Sequence, residues 1–293
     1  MATPAFQFTT KATIATFGGT LLKLTHESAV LGCPMAINVF FPPGAFGRST
    51  PKVPVLWYLA GLTCSGDNGA EKGFFNYWAA KYGIAVVYPD TSPRSSNHPG
   101  EHDAYDFGSA AGFYLDATKE PWAQNYKMET YITSELPAAL YSYFIVLDNS
   151  RVSLMGHSMG GHGALTLFFK HPGKYKSTSA FAPIVNPSKC PWGQKAFSGY
   201  LASKQEWAKH DATELIKAYS GADLDIFISC GLSDENLIGG QLLIDNFVAA
   251  AKEAGRDRQV TVKYAPDYDH SYYYVSSLAQ EHVEHAAKHL GVL

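Results

Sequence analysis

The sequence predicts a mostly parallel, doubly wound α/β sheet with helices on both faces, and three observations carry that prediction. Six short runs are rich in β-branched and aromatic residues: MAINVFF (35–41), VPVLWYLAG (53–61), IAVVYPD (84–90), RVSLMG (151–156), DIFISCG (225–231) and QVTVKYAP (259–266). Most are apolar without alternation, which is how strands covered on both faces read. Helix-period segments lie between or after them: GGHGALTLFFKHP, DATELIKAYSG, QLLIDNFVAAAKEAG and SSLAQEHVEHAAKHL. Alternation of the two patterns is what a wound sheet requires.

Taken in order, the first 35 residues read as an antiparallel edge hairpin about Gly18 and Gly19. The spacing Asp211-x-x-Glu214 predicts a capping box opening the helix that follows. Two stretches, Ser92 to Trp122 and Asn186 to Gly221, are longer than ordinary connections, which in a compact domain points to function. No repeat, linker or low-complexity tract divides the 293 residues, so 1–293 is expected to form one domain.

Composition removes several function classes. The net charge is −3, leaving no electrostatic footprint for nucleic acid or an anionic membrane. Mean hydropathy is −0.11 and every apolar run is short, so no bilayer-spanning helix is expected. Aromatic residues make up 14%, too much sticky surface to leave solvated in a disordered chain. The four cysteines, Cys33, Cys64, Cys190 and Cys230, show neither disulfide-framework nor zinc spacing. The opening residues lack a secretory pattern and KHLGVL is no peroxisomal address, so a reduced, cytoplasmic compartment is the expectation.

The sharpest motif is Gly156-His157-Ser158-Met159-Gly160, between the strand RVSLM and the helix GHGALTLFF. A serine in Gly-x-Ser-x-Gly at a strand-to-helix turn is the nucleophile elbow of the α/β-hydrolase fold. The turn strains the serine backbone, and its flanking glycines let strand and helix pass closely. The helix N-terminus behind it supplies free amide donors and the positive end of a dipole.

A serine nucleophile needs a base, and the base needs an orienting acid, in chain order Ser, Asp or Glu, His. The strand DIFISCG runs into Leu232-Ser233-Asp234-Glu235, and QVTVKYAP runs into Asp267-Tyr268-Asp269-His270. His270 is therefore the expected base and Asp234 the acid that fixes its tautomer. Glu235 is the nearest rival to Asp234, and Asp267 and Asp269 adjoin His270. One oxyanion donor is the amide of Met159, and the other is assigned to Leu62 in the loop Gly61-Leu62-Thr63-Cys64.

Other histidines read as ordinary. His282, His285 and His289 share one helix face and are expected to be solvated rather than catalytic or metal-binding, while His157 and His162, which flank the elbow, are expected to pack or hydrogen-bond there. His98 and His102 have metal-ligand spacing, but no further ligand completes a site, so no metal is expected.

Several longer blocks are more specific than the elbow: GLTCSGDN (61–68), YPDTSPR (88–94), SAAGFYLDAT (109–118), EPW (120–122), NYKMETYITSELP (125–137), GHSMGGHGAL (156–165), GQLLIDNF (240–247) and YDHSYYY (268–274). With these, nearly the whole chain resembles the S-formylglutathione hydrolase (esterase D) family. The resemblance implies a Ser158, Asp234 and His270 triad, Leu62 and Met159 as oxyanion amides, and Cys64 as a near-site thiol that is not the nucleophile. It implies cofactor-free hydrolysis of S-formylglutathione to formate and glutathione, the second step of glutathione-dependent formaldehyde detoxification, with side activity on small aryl esters. It also implies a cytoplasmic enzyme and allows a homodimer. A general carboxylesterase of the same fold is the alternative. One departure is that Ser233 precedes Asp234 where the family typically has two adjacent acidic residues.

A formyl thioester calls for a small, apolar acyl pocket beside Ser158. The charges of glutathione are expected to meet polar groups in the two long insertions, with Trp122, Tyr126, Lys127, Trp192 and Lys195 as candidates.

Overall fold

The computed structural model describes residues 7–47 and 51–293; residues 1–6, read above for a targeting signal, lie outside the described residues. Nine strands form one sheet in the order β1-β2-β3-β5-β4-β6-β7-β8-β9. They are β1 (Thr9–Thr16), β2 (Gly19–Ser28), β3 (Cys33–Phe41), β4 (Val53–Leu59), β5 (Ala85–Pro89), β6 (Leu147–His157), β7 (Thr178–Phe181), β8 (Ile226–Gly231) and β9 (Val260–Ala265). The first three strands pair antiparallel with one another and β3 with β5; from β5 to β9 every pairing is parallel.

Each apolar run forms the strand it predicts. Every residue of β4 and β5 is buried, because they sit mid-sheet under helices on both faces. The edge hairpin is present, but its two-residue turn is Phe17-Gly18, one residue earlier than expected. Thr16 pairs with Gly19, and both turn residues have positive φ (47° and 74°), as a type I′ turn demands.

One strand carries no sequence signal. β7 is only Thr-Ser-Ala-Phe, with three small side chains, yet it lies inside the sheet, between β6 and β8. Its alternation shows how the sheet is covered. Ala180 meets Gly161 of the helix Met159–Lys170, and Phe181, on the other face, stacks on His282 of the helix Ala279–Leu290 at 3.5 Å between ring centres.

That stacking corrects the expectation of a solvated histidine face. His282 is fully buried, with Nε2 2.8 Å from Ser229 Oγ, while His285 and His289 turn toward Asp225 at the start of β8. The capping expectation is half right. Asp211 accepts from the amides of Thr213 and Glu214, but the Glu214 carboxylate faces Lys217 rather than reciprocating. Among the described residues no helix is long and apolar enough to cross a membrane.

Candidate active site

The parallel strands deliver their loops to one end of the sheet. β6 ends at His157, and the helix Met159–Lys170 begins two residues later, leaving Ser158 at φ 58°, ψ −119°. The flanking glycines are required by contact. A Cβ on Gly160 would lie 1.9 Å from the Leu59 carbonyl oxygen, and one on Gly156 would lie 2.0 Å from that of Gly160. The Ser158 amide donates to the Phe181 carbonyl at 2.9 Å, so the unpredicted strand β7 holds the elbow.

Asp234 and His270 come from the loops after β8 and β9, which are laced together by their backbones. Leu232 N–H donates to Ala265 and Ser233 N–H to Tyr268, both at 2.9 Å. Asp234 Oδ2 lies 2.5 Å from His270 Nδ1, while its Oδ1 accepts from the Asn236 amide at 2.7 Å. The Asp234 side chain is fully buried and that of His270 is 22% exposed. Glu235, Asp267 and Asp269 are all exposed, and Asp269 is used to cap Ser271, so the rivals to Asp234 do not orient the imidazole.

Ser158 and His270 line one cleft of about 230 Å³, together with Gly61, Leu62, Thr63, Cys64, Tyr105, His157 and Trp192. No hydrogen bond joins Ser158 to His270 among the described residues; such contacts commonly tighten only when substrate is bound. The amides of Leu62 and Met159 likewise donate to no group among the described residues. The loop that carries Leu62 is pinned on either side. Thr63 N–H donates to Ala110 at 3.1 Å, and the Cys64 carbonyl accepts from Thr91 Oγ1 at 2.6 Å and Arg94 Nη2 at 2.9 Å. Arg94 is itself held by Asp90 at 2.7 Å.

The thiol of Cys64 is pushed up by burial, which disfavours the nucleophilic thiolate. His157 is wholly buried, with its ring centre 4.6 Å from that of His270, and burial drives its pKa well below the usual histidine value. It is a neutral packing partner, as its position beside the elbow suggested.

Of the five substrate-contact candidates, the structure brings only Trp192 into the cleft. Trp122 and Tyr126 are interior: their rings pack at 4.7 Å within a cluster that includes Phe107 and Tyr200, and Tyr126 Oη donates to the buried carboxylate of Glu101. Lys127 precedes a helix and lines no part of the cleft, and Lys195 is ion-paired to Asp106. Tyr105 was missed. It is an aromatic residue 61% exposed in the first insertion, where its hydroxyl accepts from Trp192 Nε1 at 3.0 Å. The two insertions thus meet at the cleft through the Tyr105–Trp192 pair, and beside it through the Lys195–Asp106 ion pair. His98 and His102 do not converge. The first packs on Trp122 and the second meets Ser109.

A wound sheet whose central strand ends in a strained Gly-x-Ser-x-Gly turn, facing loops that present a histidine on a buried aspartate, defines an esterase of the α/β-hydrolase fold. Comparison with known proteins narrows the class. The Esterase family model matches residues 28–285. S-formylglutathione hydrolase of Mus musculus is 48% identical over 94% of this chain and 95% of its own length. The enzyme of that name from Saccharomyces cerevisiae is 44% identical over 94% and 97%. The structure of an S-formylglutathione hydrolase from Agrobacterium tumefaciens matches with a TM-score of 0.90 and 40% identity, covering 96% of this chain and 99% of that one. The chain belongs to the S-formylglutathione hydrolase family.

Proposed function

We propose that this enzyme hydrolyses S-formylglutathione to formate and glutathione, with Ser158 as nucleophile, His270 as general base and acid, and Asp234 as the orienting carboxylate. The observation that carries the reading is the buried Asp234 carboxylate 2.5 Å from a histidine that shares its cleft with Ser158. The names of relatives that match across nearly the whole chain support the substrate.

Chemistry follows from the placement. Ser158 Oγ attacks the formyl carbon as His270 takes its proton. The oxyanion forms opposite the Leu62 and Met159 amides, each such donor being worth on the order of 3 kcal/mol of barrier. Collapse expels the glutathione sulfur, which takes the proton from His270 and leaves a formyl ester on Ser158. Water, deprotonated by His270, then releases formate. Asp234 keeps the imidazole in one tautomer and stabilises its charged form. Water is the sole co-reactant, so no cofactor enters the balance.

The aromatic walls of the cleft, Tyr105 and Trp192, favour side activity on small aryl esters. Cys64, in the same cleft, is the thiol through which alkylating reagents would obstruct the site without touching the nucleophile. A single-domain chain, a cytoplasmic location, a place in formaldehyde detoxification and a homodimer belong to the same reading; sedimentation equilibrium tests the last.

The deciding experiment compares kcat/KM on S-formylglutathione and on 4-nitrophenyl acetate for wild type and Ser158→Ala. A strong thioester preference, lost by on the order of 10⁴ or more in the variant, is expected. Equal use of the thioester and the aryl ester would replace the reading with a general carboxylesterase, and an active Ser158→Ala would remove the nucleophile.

A further inference from the structure

We propose that Asp225, His285 and His289 form a binding site for a divalent transition-metal ion of the zinc class, at the end of the sheet opposite Ser158. Asp225 immediately precedes β8, whereas Asp234 follows its far end; six strand residues set them about 20 Å apart. His285 and His289 are one turn apart on the helix Ala279–Leu290 and so project from one face.

The three donor atoms all lie within 4.8 Å of one another. His289 Nε2 is 2.9 Å from Asp225 Oδ2, and His285 Nε2 is 3.5 Å from Oδ1. Two ligands of a tetrahedral ion bound at zinc–nitrogen distances stand roughly 3.4 Å apart. The His285 separation, an ion-pair contact, matches that spacing and is long for a hydrogen bond. Besides Asp225, His285 meets the rings of Phe227 and His289. Its side chain is only 11% exposed, yet neither ring nitrogen has a hydrogen-bond partner. His157 is also buried without a hydrogen-bond partner, so the unfilled valence of His285 counts here because it stands beside two further donor groups.

The chemistry of the set selects the ion. Two imidazoles and one carboxylate suit zinc, cobalt or nickel over the all-oxygen preference of calcium and magnesium. Lys288 Nζ also lies 3.1 Å from Asp225 Oδ2 and would compete, but its side chain is 66% exposed and free to swing into water. Water would complete the coordination. The bound ion would tie the last helix to the entry of β8. The sequence pattern suggests no metal for this helix face, nor for His98 and His102; the third donor, Asp225, lies 60 residues before His285, so no local motif records the site.

The test uses tag-free full-length enzyme, stripped with a chelator and titrated with zinc chloride by calorimetry, with cobalt(II) absorption in parallel. One zinc per chain, a raised melting temperature and visible tetrahedral cobalt bands are expected in wild type. His289→Ala and Asp225→Asn should each weaken binding at least about 100-fold and abolish the bands. Both should keep wild-type circular dichroism and full activity on 4-nitrophenyl acetate, which shows that they are folded. Absence of saturable binding in wild type, or zinc bound equally by wild type and both variants, would overturn the proposal.

Discussion

Asp234 and Asp225 stand at opposite ends of β8 and each meets a histidine, at 2.5 Å and 2.9 Å, yet the surroundings of the two pairs differ. Asp234 is wholly buried, and the oxygen that does not meet His270 is held by the amides of Asn236 and Leu237. Its one side-chain partner is therefore the imidazole, which also lines the cleft. Asp225 is 39% exposed and divides its oxygens among His285, Lys288 and His289. The first arrangement suits orienting a base; the second suits sharing a cation. The pairing of residue types is common to both, so burial and the count of competing donors decide what each can do.

The largest expected effect separates the two ends directly. Asp234→Asn should lower kcat by on the order of 10⁴ while melting stays near wild type. Asp225→Asn and Glu235→Gln should remain within about twofold of wild type in the same assay, since neither residue lines the cleft. A dead Glu235→Gln beside an active Asp234→Asn would exchange the two carboxylates.

Next comes packing at the catalytic end. Gly160→Ala forces a Cβ to within 1.9 Å of the Leu59 carbonyl, so the elbow or the end of β4 must move. A loss of about 3 kcal/mol by urea denaturation is expected, with esterase activity falling alongside. Wild-type stability would show that the elbow yields more easily than its geometry implies.

A smaller effect should come from the support of the oxyanion loop. Arg94→Ala removes the guanidinium that bridges Asp90 to the Cys64 carbonyl. Slight misplacement of the Leu62 amide should lower kcat about 10-fold, with KM little changed. An equal rise in KM with constant kcat would instead assign Arg94 to substrate binding.

The smallest is a pH effect on stability. Burial lowers His162 to about 3, and its Nε2 lies 3.0 Å from the Phe113 carbonyl. The unfolded chain then binds a proton the folded one refuses, so the contribution is complete above about pH 6.5 and shrinks as pH falls toward 3. His162→Gln should remove about 1 kcal/mol of the stability lost between pH 6.5 and 5.5, measured as urea midpoints. An unchanged slope would mean that His162 accepts its proton in the folded state.

The sheet was legible in this sequence wherever strands are long and uniformly apolar, as in VPVLWYLAG and IAVVYPD. The site was legible because a fixed spacing, Gly-x-Ser-x-Gly, encodes a contact between consecutive elements, and because the acid and base fall just after readable strands. β7 escaped because its burial comes from neighbouring strands and two helices rather than from its own small side chains. Trp122 and Tyr126 looked like ligand contacts because an insertion full of aromatics does not say which rings form its own core. The three histidines of the last helix were one pattern in sequence and two environments in the fold, since a periodicity gives a face but not what covers it.

The sequence by itself determined the wound sheet, the elbow and the order Ser158, Asp234, His270, all of which rest on local spacing and on side-chain polarity. The tertiary structure alone decided that Tyr105 and Trp192 meet in the wall of the cleft, and that Asp225 gathers His285 and His289. Each of these joins residues tens of positions apart, and such contacts are set by how layers pack, a relation that no short window of the chain contains.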